Sequence, residues 1–326
     1  MAQVMKRVDL FGRIRRTYKY QMMHLYKRVL DMIPPTCFLK HPKLVTGLWY
    51  ASQKGRFPNL RSPKEIDELL MALNLKSMYD ENKSSILIQC ADKYAVRKYV
   101  EERGYGDILN ECYGVFDRVD DIDFGCFPNQ FVLKLTNGSG QNYICKDKGS
   151  LDIGCLRETL RGWMNEASSF GLKTGEWHYS KIKPRIIAEK YLDSLGGDDS
   201  IIDYKFQCYG GDILGILVCY DRDPITHRAN YDWYDPDWNL TDGEPSRLHL
   251  NQRLIPRPNS FDKMCKVARD LSAGIDHVRI DLYDTEDGPL FGEMTFTEGG
   301  NIMEYNQWVL DAMYKKLIQL KDEQAI

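Results

Sequence analysis

The chain has 326 residues, of which 43% are hydrophobic, and its formal net charge at pH 7 is -3. This apolar content supports a folded core and excludes a predominantly disordered chain. The near balance of charges excludes a protein that binds nucleic acid over its whole surface. The best apolar run, 213–220, has the length of a strand, whereas a membrane span needs roughly 18 residues.

The chain is long enough for two lobes that share one site. Its nine cysteines are scattered without a C-x-x-C pair, and the N-terminus has no apolar segment typical of a signal peptide. We therefore expect free thiols, a cytoplasmic protein, and no metal site built on cysteine.

Residues 1–31 contain eight lysines and arginines but only two acidic residues. Apolar residues recur there at helical spacing, which predicts a basic amphipathic helix that ends at Pro34-Pro35; they are Leu10, Ile14, Tyr18, Met22, Leu25, Val29 and Met32. Two interpretations stay open. The helix contacts an anionic membrane or an acidic polymer, or it packs on the protein body and exposes its basic face.

The remaining elements are predicted from periodicity and turn signals. Ser62, with Glu65 three residues on, predicts the N-cap of a helix. Further helices are expected over 91–103, 156–167, 262–275 and 305–320, and strands over 131–136, 185–192, 203–209, 213–220, 277–283 and 290–297. Because strands and helices mix without strict alternation, we expect an α+β fold.

Four clusters carry polar side chains in unusual places. Lys134 lies inside an apolar strand and precedes the loop Gly138-Ser139-Gly140, whose N–H groups suit phosphate oxygens. Lys93 follows Asp92 at a predicted helix and can reach phosphates, although Asp92 by itself is ordinary capping. A hairpin whose lysine reaches solvent is the alternative at Lys134.

The second strand of interest ends in Glu189, Lys190 and Leu192. A carboxylate next to exposed backbone at the end of a strand can accept a hydrogen bond from the amino group of adenine. The alternative is that Glu189 forms a salt bridge at the end of the strand. Asp203, two residues before Lys205, adds a carboxylate suited to a ribose hydroxyl.

Arg279 and Asp281 on one strand, and Glu293 and Thr295 on the next, alternate with apolar residues. If these strands are antiparallel neighbours, Asp281 and Glu293 converge on one sheet face. Two such carboxylates repel unless a cation lies between them, and hard oxygen ligands suit Mg²⁺. A surface hairpin with solvated acids is the alternative.

In this order, the motifs resemble the ATP-grasp superfamily, and most closely its TupA-like branch, named for teichuronopeptide biosynthesis and related to the D-alanine–D-alanine ligases. The resemblance is carried by 90–93, 131–134, 183–189, 203–205 and 292–297. It implies an ATP-grasp fold that holds ATP between antiparallel sheets. The expected domains are a basic helical region at 1–83, a first lobe at 84–200 and a C-terminal lobe at 201–326. Because the first 90 residues show no glycine-rich βαβ pattern, the N-terminal domain is expected to be reduced.

The resemblance also implies the role of each residue. Arg279 and Lys134 are expected to be catalytic, with Arg279 binding the substrate carboxylate and then the oxyanion. The expected ATP-binding residues are Lys93, Lys134, Gly138, Ser139, Gly140, Glu189, Lys190, Leu192, Asp203, Lys205, Arg222 and Arg228; between the last two, the phosphate contact is left open. The expected Mg²⁺ ligands are Asp281, Glu293 and, as a weaker ligand, Thr295.

Two positions depart from the pattern of the D-alanine–D-alanine ligases. Thr295 stands where they place an asparagine ligand, so a second Mg²⁺ is expected to be held less firmly or through water. Glu298 stands where a proline commonly precedes the glycines, so Gly299-Gly300 is expected to form a different substrate loop.

The activity implied is ATP-dependent ligation of a carboxylate to an amine through an acyl phosphate. The branch suggests an amino acid or amine joined to a uronic-acid-containing glycan in surface polysaccharide biosynthesis, with residues 1–31 at the inner face of the membrane. The aromatic and acidic stretch 231–238 fits either stacking on a sugar or a structural loop. The alternatives are a kinase acting on a sugar hydroxyl, a glycosyltransferase, and a non-catalytic nucleotide-binding regulator.

Overall fold

The computed structural model describes residues 19–192, 201–223, 228–241, 254–302 and 310–316. These residues form an α+β fold with two antiparallel sheets, as predicted. The helices are α1 (19–32), α2 (Cys37–Lys40), α3 (Pro42–Lys54), α4 (Ile66–Ser77), α5 (Glu81–Ala91), α6 (Ala95–Glu102), α7 (Ile153–Glu166), α8 (Phe261–Ser272) and α9 (310–316). The strands are β1 (Cys112–Phe116), β2 (Phe131–Leu135), β3 (Asn142–Cys145), β4 (Ile186–Lys190), β5 (Asp203–Tyr209), β6 (Asp212–Tyr220), β7 (Asn230–Tyr234), β8 (Val278–Thr285) and β9 (Gly288–Thr295).

The first sheet has the strand order β1-β4-β2-β3. One of its faces packs on α7 through buried side chains that include Phe131, Leu133 and Leu160. Because side chains alternate along a strand, Lys134 lies on the opposite face. Glu189 shares that face, since β4 places it opposite Val132.

The second sheet has the order β7-β6-β5-β8-β9. Phe206 and Ile280 lie on the face that packs against α8. The opposite face carries the alternate residues of the three strands β5, β8 and β9. Register places Lys205 beside Asp281, and Asp281 beside Glu293, so the predicted convergence of these two carboxylates is confirmed.

The N-terminal helices form their own apolar cluster, in which Leu30, Phe38 and Trp177 are buried. Helix α1 packs there through Tyr26, Leu30 and Ile33, and not through the apolar stripe that the sequence suggested. In the described part of that stripe Met22 is half-buried, while Leu25, Val29 and Met32 are exposed by 51%, 39% and 84%. Leu10, Ile14 and Tyr18 lie outside the described residues.

Two predicted helix boundaries are wrong. Helix α4 begins three residues after Pro63, because Glu65 is the N-cap and forms a reciprocal capping box with Glu68. The helix predicted over 91–103 begins later, at Ala95, because α5 ends at Ala91 and Asp92 Oδ1 accepts hydrogen bonds from the N–H groups of Tyr94 and Ala95.

The other predicted elements are found with small shifts of their ends, while α2, α3, α5, β1, β3 and β7 were not predicted. Of the closing helix predicted over 305–320, residues 310–316 are helical and the rest lies outside the described residues. All nine cysteines are free thiols. No helix among the described residues is long and apolar enough to cross a membrane.

Candidate active site

Lys93 lies in the break between α5 and α6 and contacts groups from both sheets. Its backbone N–H donates to the carbonyl of Thr136 (3.0 Å), which fixes the break beside the end of β2. Its Nζ donates to the carbonyl of Gly138 (2.7 Å) and lies 3.7 Å from Glu293 Oε2. The glycine loop and the carboxylate pair are therefore neighbours.

The loop after β2 is held in place by hydrogen bonds of the buried Asn137 side chain. The side-chain amide of Asn137 donates to the carbonyls of Ala167 (3.1 Å) and Tyr179 (3.2 Å). Gly138 is buried, and a Cβ there would lie 2.6 Å from Gln141 Oε1. Ser139 and Gly140 are exposed, so their backbone is open to a ligand.

The predicted adenine end of the site is an ion-pair cluster. Lys134 Nζ lies 2.8 Å from Glu189 Oε2, and Arg97 Nη1 lies 3.4 Å from Glu189 Oε1. The strand-end salt bridge that the sequence left open is therefore present. Lys190 is exposed and its N–H already donates to Glu111 (3.0 Å), while Leu192 is half-buried.

Arg279 joins the two carboxylates that converge on β8 and β9. Its Nε lies 2.5 Å from Asp281 Oδ1, and its Nη2 lies 2.7 Å from Asp281 Oδ2 and 2.8 Å from Glu293 Oε1. The guanidinium fork fits such bidentate contacts. Arg279 thus supplies the positive charge that two neighbouring carboxylates require.

Lys205 adds a second cation to this face. Its Nζ lies 2.6 Å from Asp281 Oδ2 and 3.4 Å from Asp203 Oδ2. Burial alone would lower the pKa of Lys205, but the charges of Asp281 and Asp203 hold it above its ordinary value. Burial likewise opposes ionisation of Glu293, yet Lys93, Arg279 and Lys205 lower its pKa to about 2.

Glu298 contacts Arg279 from the loop after β9, and the sequence did not predict this contact. Its side chain is only 2% exposed and forms an ion pair with Arg279 Nη1. Gln207, beside Arg279 in the sheet register, donates to Glu298 Oε2 (2.8 Å). The sequence signal is the departure from proline at position 298, which by itself indicates only a different loop.

The two arginines left open by the sequence lie in different environments. Arg222 is half-buried, and its Nη2 lies 3.3 Å from Asp203 Oδ2, the predicted ribose carboxylate. Arg228 is exposed. The geometry therefore favours Arg222 over Arg228 as the nucleotide contact.

The comparison with known families decides the family of the chain. A family model described as TupA-like ATP-grasp matches residues 71–317. The chain belongs to the TupA-like ATP-grasp family. It is accordingly an ATP-dependent ligase with an ATP-grasp fold, as the resemblance implied.

Among solved structures, the chain is similar to the D-alanine–D-alanine ligase of Bacillus anthracis complexed with ATP (13% identity, TM-score 0.41, covering 72% of this chain and 68% of that chain). It is similar to the D-alanine–D-alanine ligase of Helicobacter pylori, with 14% identity and a TM-score of 0.39, over 72% of this chain and 60% of that chain. It is also similar to the macrocyclase MdnC of Microcystis aeruginosa bound with precursor peptide MdnA, with 13% identity and a TM-score of 0.37, over 72% of this chain and 62% of that chain. No curated protein sequence matches the chain. Membership of the TupA-like family rests on the family model alone.

The donor set of this TupA-like protein fits Mg²⁺ when phosphate oxygens complete the coordination. Among the described residues, no group of three or more His, Cys, Asp or Glu side chains could hold a metal by itself. Mg²⁺ in nucleotide sites commonly takes only one or two carboxylates together with phosphate oxygens. Asp281 and Glu293 could supply these two carboxylates, and Thr295 Oγ1 lies 3.1 Å from Glu293 Oε1.

The aromatic stretch 231–238 is structural rather than an exposed platform. Tyr234 ends β7 and is buried, and Trp238 stacks on it with ring centroids 4.3 Å apart. Trp238 also packs edge-on against Phe261 of α8 (5.0 Å). Since these rings already have partners inside the protein, sugar stacking is not supported for them.

Proposed function

We propose that the protein joins a carboxylate to an amine in two steps. The γ-phosphoryl group of ATP passes to a carboxylate oxygen, which gives an acyl phosphate and ADP. The amine then attacks the acyl carbon, phosphate leaves, and the nitrogen loses a proton. The observation that carries the proposal is the sheet face on which Arg279 contacts both Asp281 and Glu293, with Lys93, which also donates to Gly138, 3.7 Å from Glu293.

The residues of the chain act mainly by electrostatics in this proposal. Lys93 and Lys134 neutralise phosphate charge, and the loop 138–140 covers the β/γ-phosphates and excludes water, which would hydrolyse an acyl phosphate. Arg279 orients the substrate carboxylate and stabilises the oxyanion. Asp281 and Glu293 would hold Mg²⁺, with Thr295 as a weaker ligand, and the ion supplies further neutralisation of the triphosphate.

At the other end of the nucleotide, Glu189, Lys190 and Leu192 form the proposed adenine contacts. Asp203 and Lys205 are proposed to contact the ribose, and Arg222 a phosphate. Glu189 and Asp203 are both ion-paired with cations of the site, so each carboxylate is held on the sheet face where the ligand is expected.

The substrate class is proposed from the family description. The TupA-like branch is named for teichuronopeptide biosynthesis, which supports a glycan uronate as the carboxylate and an amino acid or other amine as its partner. We place the enzyme in the cytoplasm, at the inner face of the membrane, where a lipid-linked or acidic glycan would be assembled. A glycosyltransferase is not favoured, because it needs none of the groups assembled here.

The test is hydroxylamine trapping with Mg-ATP and a panel of uronates. A ligase releases ADP and yields a hydroxamate, since hydroxylamine captures the acyl phosphate. ADP release with a phosphorylated sugar and no hydroxamate would instead identify a kinase. Lys134→Ala and Glu293→Gln should abolish turnover, while Lys98→Ala, on the exposed surface of α6, serves as the matched lysine control. Binding of Mg-ATP without ADP release on any carboxylate would identify a regulator.

A further inference from the structure

The N-terminal region carries a concentrated positive charge. Residues 1–64 contain fourteen lysines and arginines but only two acidic residues, Asp9 and Asp31, in a chain whose net charge is -3. Lys54 and Arg56 are paired with acidic residues at the start of α4. Exposed basic side chains that form no ion pair with any described residue include Lys27, Arg28, Lys40 and Lys43.

Helix α1 has two apolar faces, one packed on the N-terminal helices and the other exposed. Leu30 is 4% exposed in the cluster of N-terminal helices, with Tyr26 edge-on to Phe57 at 5.4 Å. The second face consists of Leu25, Val29 and Met32, which are spaced by one helical turn and exposed. Arg28 lies beside this stripe on the helix surface.

We propose that this second face of α1, with Arg28 at its edge and within the basic N-terminal region, binds the surface of a membrane that contains anionic lipid. A helix with an exposed apolar stripe and a basic border lies in the plane of the lipid headgroups, with its apolar side chains at the acyl boundary. Each basic group near such a surface adds attraction to anionic headgroups.

A second copy of the chain is a poorer occupant of this face. Two copies would bring their positively charged regions together, and like charges across an interface oppose association. Three exposed side chains also provide far less area than a stable protein interface, which buries about 1,200 Å² or more. The surface is consistent with the location proposed for the ligase, but it is argued from α1 itself. Lipid binding needs neither ATP nor substrate, so its failure would leave the ligase chemistry untouched.

The experiment is co-sedimentation of the full-length protein with vesicles. We expect binding to mixed phosphatidylglycerol–phosphatidylcholine vesicles and little binding to phosphatidylcholine alone. Leu25→Ser with Met32→Ser should lower the partition coefficient about tenfold or more, because both side chains leave the acyl boundary. The matched control is Ile144→Ser with Leu254→Ser, which changes side chains of similar exposure, 55% and 78%, elsewhere on the surface.

Charge is tested separately. Arg28→Gln should lower binding about fivefold, and added salt should weaken binding of the wild type. The proposal is overturned if the wild type does not bind anionic vesicles, or if the control pair loses as much binding as the α1 pair. It is also overturned if sedimentation shows a dimer that the α1 pair converts to monomer, because the face would then bind a second copy.

Discussion

Lys93 and Glu293 lie 3.7 Å apart, Nζ to Oε2, although one follows a helix beside the first sheet and the other belongs to a strand of the second. The same Nζ donates to Gly138 in the glycine loop. Since Glu293 is ionised with a pKa of about 2, it holds the ammonium group where phosphate oxygens are expected. One cation thereby connects the parts of the chain that are proposed to bind phosphate and Mg²⁺.

This relationship predicts that Lys93→Ala weakens ATP binding. We expect the dissociation constant for Mg-ATP to rise at least about tenfold, or ~1.4 kcal/mol, because one phosphate loses its charge-assisted contact. Isothermal titration calorimetry measures it. Lys98→Ala is the matched control, since Lys98 lies on the exposed surface of α6 and, among the described residues, pairs only with Glu102 at 3.6 Å. Equal affinities for both variants would remove Lys93 from the nucleotide site.

The pair Arg222 and Arg228 provides a second test of the nucleotide site. Arg222→Gln should raise the dissociation constant for Mg-ATP about fivefold or more, because Arg222 is half-buried beside Asp203. Arg228→Gln should leave it unchanged, because Arg228 is exposed. The two variants change the net charge equally, so a general electrostatic effect would lower both affinities alike. A loss confined to Arg228→Gln would reverse the assignment.

The sheets and their carboxylate face were predictable because strand alternation is local. A period of two places Arg279 and Asp281 on one face whatever the rest of the chain does. The turn at 286–288 then brings β9 alongside, so Glu293 meets Asp281 in register. The short strands β1 and β3 carry weaker alternation, and their place in the sheet depends on partners distant in sequence.

The start of α4, the packed face of α1 and the burial of Glu298 were not predicted, because each depends on which of several possible contacts a side chain makes in the folded protein. Both Ser62 and Glu65 are possible N-caps of α4. Glu65 is the N-cap in the structure, because it forms a reciprocal capping box with Glu68. Helix α1 has apolar residues on two faces, so periodicity alone could not identify the packed one. Glu298 follows a strand in a glycine-rich loop, where its burial against Arg279 becomes visible only when the sheet is assembled.

Glu298 should be important for stability as well as for the position of Arg279. Glu298→Ala leaves Arg279 Nη1 and the Gln207 amide without this partner in a buried site, so we expect a loss of about 3–5 kcal/mol in unfolding free energy. Glu298→Gln keeps a hydrogen-bonding side chain and should lose less. Urea denaturation measures both. Glu286→Ala, at the exposed turn between β8 and β9, should stay within about 0.5 kcal/mol of the wild type.

Two buried histidines predict a loss of stability on mild acidification. His178 is fully buried, neither of its ring nitrogens is hydrogen-bonded within the described residues, and burial lowers its pKa to about 3. His277 is also buried, and burial is the main reason that its pKa falls to about 4. The unfolded chain protonates these rings near pH 6.5, whereas the folded chain does not. Stability is therefore full above that pH and falls as the pH drops from about 6.5 toward 4, where His277 titrates, and on toward 3 for His178.

The slope of unfolding free energy against pH shows which histidine causes the loss of stability. Each ring contributes up to about 1.4 kcal/mol per pH unit to the fall in unfolding free energy. His178→Phe should flatten the profile by that amount, since a phenyl ring takes no proton and suits the aromatic contacts with Trp177, Tyr179 and Phe296. His41→Phe, at an exposed position, should leave the slope of the wild type intact. If His178→Phe kept the full slope in urea titrations between about pH 7 and pH 5, protonation of His178 would not be what destabilises the acidified protein.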